Sequence, residues 1–290
     1  MLKKALLKIL KTKNFTRFYS QKSSHSELFF NYLEGNHEGI AILGLNRPEQ
    51  RNAFSVNLVD SLSKTIDKLR YDGTARVIIL RSMVPKVFCA GADLKERAVM
   101  TPKEVSSFVT NLRGVMSKLQ NIPVPVLAAI DGVAVGGGLE ICLACDIRVA
   151  STDSKMGLVE TKLAIIPGAG GTQRLPRIIN PSIAKELIYT AKVIDGIRAH
   201  DIGLVNYVVE QEPKGDAAYQ KCLEIAEEIL PNGPLAVQVA KQAINKGIEV
   251  DLNTGLAIEE ACYAQIIPTQ DRIEALSAFR EKRKPKFKGL

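Results

Sequence analysis

Apolar residues along this chain follow two alternating spacings. Ile40 to Leu45 reads as a short buried strand that ends in the turn Asn46-Arg47-Pro48. Ser55 then caps a predicted helix whose apolar stripe is Leu58, Val59, Leu62, Ile66 and Leu69, closed by Asp72-Gly73. Val77 to Leu80 is a second buried strand, and the segment from Val87 to Arg97 turns through Gly91 into a short helix. Thr101-Pro-Lys-Glu104 has the form of a capping box with proline in the first turn, predicting a helix to about Gln120. Pro123 and Pro125 frame a strand at Val126 to Ile130, and Ile147 to Ala150 makes another. Strand, turn and helix therefore recur through residue 170 without a fixed-period repeat, as in layered α/β folds. Beyond Pro181 the pattern becomes helical, over 182–191, about 216–229, 234–247, 252–265 and 269–282. The change near Gly196–Tyr207 predicts a core followed by a helical C-terminal part. Its stripe Leu256, Ile258, Cys262, Tyr263 and Ile266 is expected to cover the core or a neighbouring subunit.

The stretch Ile130 to Arg174 carries the candidate chemistry. Gly136-Gly137-Gly138 runs directly into an apolar helical segment that holds Glu140 in its first turn. Glycines before a helix let the backbone approach a ligand and leave first-turn N–H groups pointing outward, which suits an oxygen that gains negative charge. Glu160 follows twenty positions on, in a run that breaks at Pro167, Gly168, Gly170 and Gly171. Two carboxylates in such company fit a general acid and base, because burial and mutual repulsion push their pKa values apart. Each Glu alone also fits a solvated helix carboxylate. Phe88-Cys-Ala-Gly-Ala-Asp93 is a second amide-presenting turn, and with Gly137 it can offer one oxygen two backbone donors.

Composition narrows the class. With 290 residues, 46% of them apolar and 24% charged, the chain can bury a full core in one or two domains. It holds no apolar run of the roughly 18 residues that a membrane span needs. The net charge of +8 invites a nucleic-acid reading, but residues 1–26 carry seven Lys and Arg and no acid, which leaves about +1 for the rest. That segment is basic, contains serine and repeats Leu2, Leu6, Leu7 and Leu10 at helical spacing, the description of a mitochondrial transit peptide. Arg17-Phe18-Tyr19-Ser20 places the cleavage after Tyr19, with a flexible segment over 20–30, so the expected home is the mitochondrial matrix. Five widely spaced cysteines fit a reducing compartment, and Cys142-Leu-Ala-Cys145 lacks the second pair or histidine that a zinc site needs.

Taken in order, FCAGADLKE, GGGLE, GLVE and IPGAGGTQRLPR resemble the crotonase, or enoyl-CoA hydratase/isomerase, superfamily, from about Phe30 to the C-terminus. The resemblance implies an α/β fold, a spiral of ββα units over 31–200 and a helical region over 201–290 for trimerisation and active-site cover. It implies trimers paired into a homohexamer, an acyl-CoA substrate and no metal or redox cofactor. By position, Glu140 and Glu160 would hold one water between them, and the amides of Ala92 and Gly137 would hold the thioester oxygen. CoA contacts are implied at Arg51, Ala53, Ala90, Ala92, Asp93, Leu94, Lys95 and Gly137, with Gly168 orienting water or substrate. Phe279 and Lys282 would reach the nucleotide end of a ligand, including a neighbouring subunit's. Residues 155–177 and 249–269 are most similar to the branch that hydrates 3-methylglutaconyl-CoA in leucine breakdown. A general short-chain enoyl-CoA hydratase of fatty-acid β-oxidation is the alternative.

A relative in that branch binds AU-rich RNA through lysines at i, i+4 and i+8 of its first helix. Those positions here are Val56, Asp60 and Lys64, which leaves no basic stripe, so RNA binding is not expected. Other enzyme classes fare worse. Gly168-Ala-Gly170-Gly171 is neither GxGxxG nor a P-loop, and no Gly-x-Ser-x-Gly accompanies any of the three histidines.

Overall fold

A computed structural model describes residues 26–290. The transit segment expected over 1–19 lies outside them. The first element, β1 (Leu28–Tyr32), begins inside the span for which the sequence predicted only a flexible segment. It is an edge strand with one half-exposed face, antiparallel to β2 (Ile40–Leu45), and pairing rather than a continuous apolar run defines it.

From β2 the chain winds as a spiral in which successive turns place one strand in each of two sheets. Helix α1 (Val56–Leu69) leads to β3 (Val77–Ser82) and the short β4 (Val87–Cys89). Helices α2 (Leu94–Ala98) and α3 (Pro102–Gln120) follow, then β5 (Val126–Ile130), β6 (Val133–Val135) and α4 (Gly137–Leu143). The next turn holds β7 (Ile147–Ser151), β8 (Lys155–Gly157), a 3-10 helix at Glu160–Leu163, α5 (Gly171–Ile178) and α6 (Pro181–Tyr189). Then come β9 (Ile194–Asp195), α7 (Gly196–Asp201), β10 (Tyr207–Val209) and α8 (Ala217–Ile229). The C-terminal helices are α9 (Pro234–Gly247), α10 (Leu252–Ile266) and α11 (Gln270–Arg280). The larger sheet has the order β1-β2-β3-β5-β7-β10 and the smaller one β4-β6-β8-β9.

The large sheet is apolar on both faces, as parallel sheets covered on two sides are. Ile42, Ile79, Leu127 and Val149 lie on one face beneath Ala218, Cys222 and Ile225 of α8. Their alternates Leu43, Ile78, Leu80 and Ala128 join Phe54, Leu62, Phe108 and Leu112 in the main core toward the small sheet. The predicted caps hold: the Ser55 hydroxyl accepts from Leu58 N, and Thr101 with Glu104 completes the capping box. The sequence pattern did not disclose the small sheet, whose strands are two or three residues long and so carry no readable alternation. All five cysteines are free and buried.

The C-terminal stripe does not cover this chain's core. Of its residues only Cys262 is buried, whereas Leu256 is 51% and Tyr263 66% exposed. Helices α9 and α10 pack mainly on each other and leave Ile244, Ile248 and Leu252 facing outward. Among the described residues no helix is long and apolar enough to cross a membrane.

Candidate active site

The site is built where the small sheet meets the glycine-rich start of α4. Gly136 adopts φ 56° and ψ −128°, a backbone conformation that glycine tolerates and side chains resist. A Cβ on Gly138 would lie 2.2 Å from the Cys89 carbonyl oxygen, so the first turn of α4 is pressed against the end of β4. Gly91, at φ 92°, lies against the Val135 carbonyl and the Gly137 amide from the other side. These close approaches bring loops 90–93 and 136–138 together.

Segment 51–54 fixes how loop 90–93 presents itself. Ala90 N donates to Arg51 O (3.0 Å), Phe54 N to Gly91 O (2.7 Å) and Asp93 N to Phe54 O (3.0 Å). In an extended backbone alternate groups face opposite ways, so this ladder turns the Ala92 N–H away from segment 51–54. Gly137 N stands at the first position of α4, where no intrahelical acceptor exists. Ala92 and Gly137 both line one cavity of about 890 Å³, and so do Glu140 and Glu160.

The two carboxyl groups are held differently. Glu140 is buried, and its Oε1 accepts from Ala169 N at 2.8 Å and Gly171 N at 2.7 Å. The glycine-rich turn 168–171 is thus an amide clamp for Glu140. That turn is braced from outside: Arg113 Nε donates to Gly168 O (2.9 Å) and an Arg174 guanidinium nitrogen to Ala169 O (3.0 Å). Burial raises the Glu140 pKa, against which the two amides and then the charges of Arg174 and Arg113 favour the anion. Glu160 packs beside Gly136, and its buried Oε2 has no hydrogen-bond partner among the described residues. Burial, with the Glu140 charge as a lesser cause, pushes Glu160 up to about 7. The arrangement places Glu140, clamped by two amides, and a Glu160 carboxyl able to hold a proton near neutrality in one cavity with Ala92 and Gly137.

The other predicted residues divide into two groups. Ala90, Leu94 and Gly168 line the cavity. Arg51, Ala53, Asp93 and Lys95 do not line it. Asp93 is a buried helix cap that accepts from Lys95 N and Glu96 N and pairs with Arg47 at 2.7 Å, so its carboxylate is occupied within the protein. Phe279, 84% exposed, and Lys282 lie on or just beyond α11 and contribute nothing to this chain's own cavity. Sequence reading missed the Ala169 and Gly171 amides and the cations Arg97, Arg113 and Arg174. The glycine cluster signalled the first pair, but nothing local distinguishes those arginines from surface ones.

Among the described residues no group of three His, Cys, Asp or Glu side chains comes together as a metal ligand set. Comparisons with known proteins identify the family. Methylglutaconyl-CoA hydratase, mitochondrial, of Homo sapiens is 59% identical over 272 residues, covering 94% of this chain and 80% of that protein. Enoyl-CoA hydratase domain-containing protein 2, mitochondrial, of Mus musculus is 52% identical over 89% of this chain and 87% of that protein. A crystal structure of an enoyl-CoA hydratase from Bacillus anthracis superposes with a TM-score of 0.87 at 46% identity, covering 91% of this chain and all of that one. Residues 35–290 match the enoyl-CoA hydratase/isomerase family model, and with the crotonase fold and the paired carboxyls this makes the chain an enzyme of the enoyl-CoA hydratase/isomerase family.

Proposed function

We propose that the chain adds water across the Cα=Cβ bond of 3-methylglutaconyl-CoA, giving 3-hydroxy-3-methylglutaryl-CoA in leucine degradation. The observation that carries the hydration reading is the unequal pair, Glu140 clamped by two amides and Glu160 with a free buried oxygen, in one cavity with Ala92 N and Gly137 N. The thioester oxygen binds the two amides. Water between the carboxyls gives a proton to Glu140 as its oxygen bonds to Cβ, while Glu160 delivers a proton to Cα. Negative charge passing onto the thioester oxygen meets donors that need no reorganisation, each worth about 100-fold or more in rate. The different settings of the two carboxyls suit these roles: two backbone amides favour the Glu140 anion, whereas burial pushes Glu160 up to about 7, and one must accept as the other donates.

The substrate assignment is supported by the 59% identity to the human protein of that name. The relatives named mitochondrial support a mitochondrial home, and we read residues 1–19 as the transit peptide to the matrix. Residues 31–200 form the catalytic unit and 201–290 the region for subunit contact and cover. The outward apolar residues of α9 and α10 suit packing into a homohexamer, in which Phe279 and Lys282 reach the ligand of a neighbouring subunit. The chemistry uses acid, base and amides alone, without metal or redox cofactor. RNA binding is not part of the reading: Lys64 pairs with Asp60 at 2.7 Å and Val56 offers no charge.

The test is a steady-state comparison of residues 20–290 on crotonyl-CoA and 3-methylglutaconyl-CoA. A much larger kcat/KM for 3-methylglutaconyl-CoA supports the proposal. A preference for crotonyl-CoA makes the enzyme a general short-chain hydratase of β-oxidation, and hydration of neither overturns the hydratase reading.

A further inference from the structure

Helices α2 and α3 form a wall of the cavity that holds Glu140 and Glu160. On α2, Leu94 and Arg97 stand three positions apart, so their side chains share one helix face, and both line the cavity. From α3 the wall receives Phe108, Val109 and Leu112, which are apolar. A second cation, Arg113, also lines the cavity, but its Nε is tied to Gly168 O at 2.9 Å. Arg97 is half-buried, and among the described residues its guanidinium has neither a carboxylate nor a carbonyl partner. The acids nearest in sequence are engaged elsewhere: Asp93 pairs with Arg47, and Glu96 accepts from Val56 N at 3.0 Å and faces Arg47. A partly desolvated cation at the edge of an apolar wall is short of an anion.

We infer that Arg97 is a specificity-determining residue that receives a second carboxylate at the distal end of the acyl group. The substrate class of the site is then a short dicarboxylic enoyl thioester. The inference rests on the hydratase reading above. A carboxylate carried into this cavity loses its hydration, and a guanidinium can replace that with two parallel charge-assisted N–H donors. An acyl group ending in methyl offers Arg97 nothing and leaves the cation without a partner. The preference therefore lies in the pairing as much as in the shape of the cavity.

The test compares the full chain with Arg97→Met and Arg97→Lys, each on 3-methylglutaconyl-CoA and on crotonyl-CoA. The readout is the ratio of the two kcat/KM values, which does not depend on the fraction of protein correctly folded. Removing one partner of a desolvated, hydrogen-bonded charge pair lowers that ratio by at least about 30-fold in Arg97→Met. Arg97→Lys keeps the charge without the planar fork and loses less. An Arg97→Met ratio within about threefold of the wild type, measured against that 30-fold expectation, overturns the inference while leaving the hydratase reading intact. A wild-type chain that hydrates neither thioester overturns that reading and the inference with it.

Discussion

Replacing Glu160 with glutamine should cost activity and gain stability, with the gain confined to one side of a pH boundary. The folded chain pushes the Glu160 carboxyl from its ordinary 4.5 up to about 7, through burial first and the Glu140 charge second. A raised carboxyl pKa means that folding favours the protonated form. Its contribution is complete below about pH 4.5, and it is lost as pH rises from there through about 7. At pH 8 the wild type therefore holds an ion in a place that disfavours it. The full difference corresponds to about 3 kcal/mol, and the solvent that reaches this half-buried group reduces it to about 1–2 kcal/mol. Glutamine has the same shape and no charge, so Glu160→Gln should raise Tm by a few degrees at pH 8 and leave it unchanged at pH 4.5. Loss of the proton donor should lower hydration by at least about 100-fold. Calorimetry at both pH values and steady-state hydration would read the two effects. Near-native turnover would refute the two-carboxyl mechanism. A lower Tm at pH 8 would refute the electrostatic account of Glu160.

In the wild type, kcat/KM for hydration should fall as pH rises through about 7, where the pair loses the proton held on Glu160; a flat profile from pH 6 to 9 would contradict this. Glu140→Gln keeps an oxygen for the Ala169 and Gly171 amides, so calorimetric binding of a CoA ester should persist while kcat drops at least about 100-fold. Gly138→Ala would set a methyl group 2.2 Å from the Cys89 carbonyl oxygen, and urea unfolding should show a loss of about 3 kcal/mol or more. Deleting residues 1–19 should abolish import into isolated mitochondria, and matrix delivery of the shortened chain would refute the targeting assignment.

Much of this enzyme is legible in single segments. Ser55 and the Thr101–Glu104 box cap the helices they predict, because capping and amphipathic spacing are local properties. The buried runs Ile40–Leu45, Val77–Leu80 and Val126–Ile130 lie in strands, because the centre of a covered sheet accommodates them. The glycines flanking Glu140 and Glu160 were equally visible, since their chemistry depends on backbone rather than on distant partners. Strands of two or three residues, such as β8 and β9, exist through their neighbours and leave no period in the sequence. The division of the predicted contacts has the same origin. Ala92 lines the cavity with its amide turned away from segment 51–54, which occupies the groups beside it, while Asp93, one residue on, is consumed by Arg47 and the cap of α2. Arg97, Arg113 and Arg174 are ordinary helix arginines in the sequence. Only the winding of the chain decides that Arg97 and Arg113 line the cavity and that Arg113 and Arg174 brace the turn that clamps Glu140, because side-chain charge gains a role from what it meets across the fold.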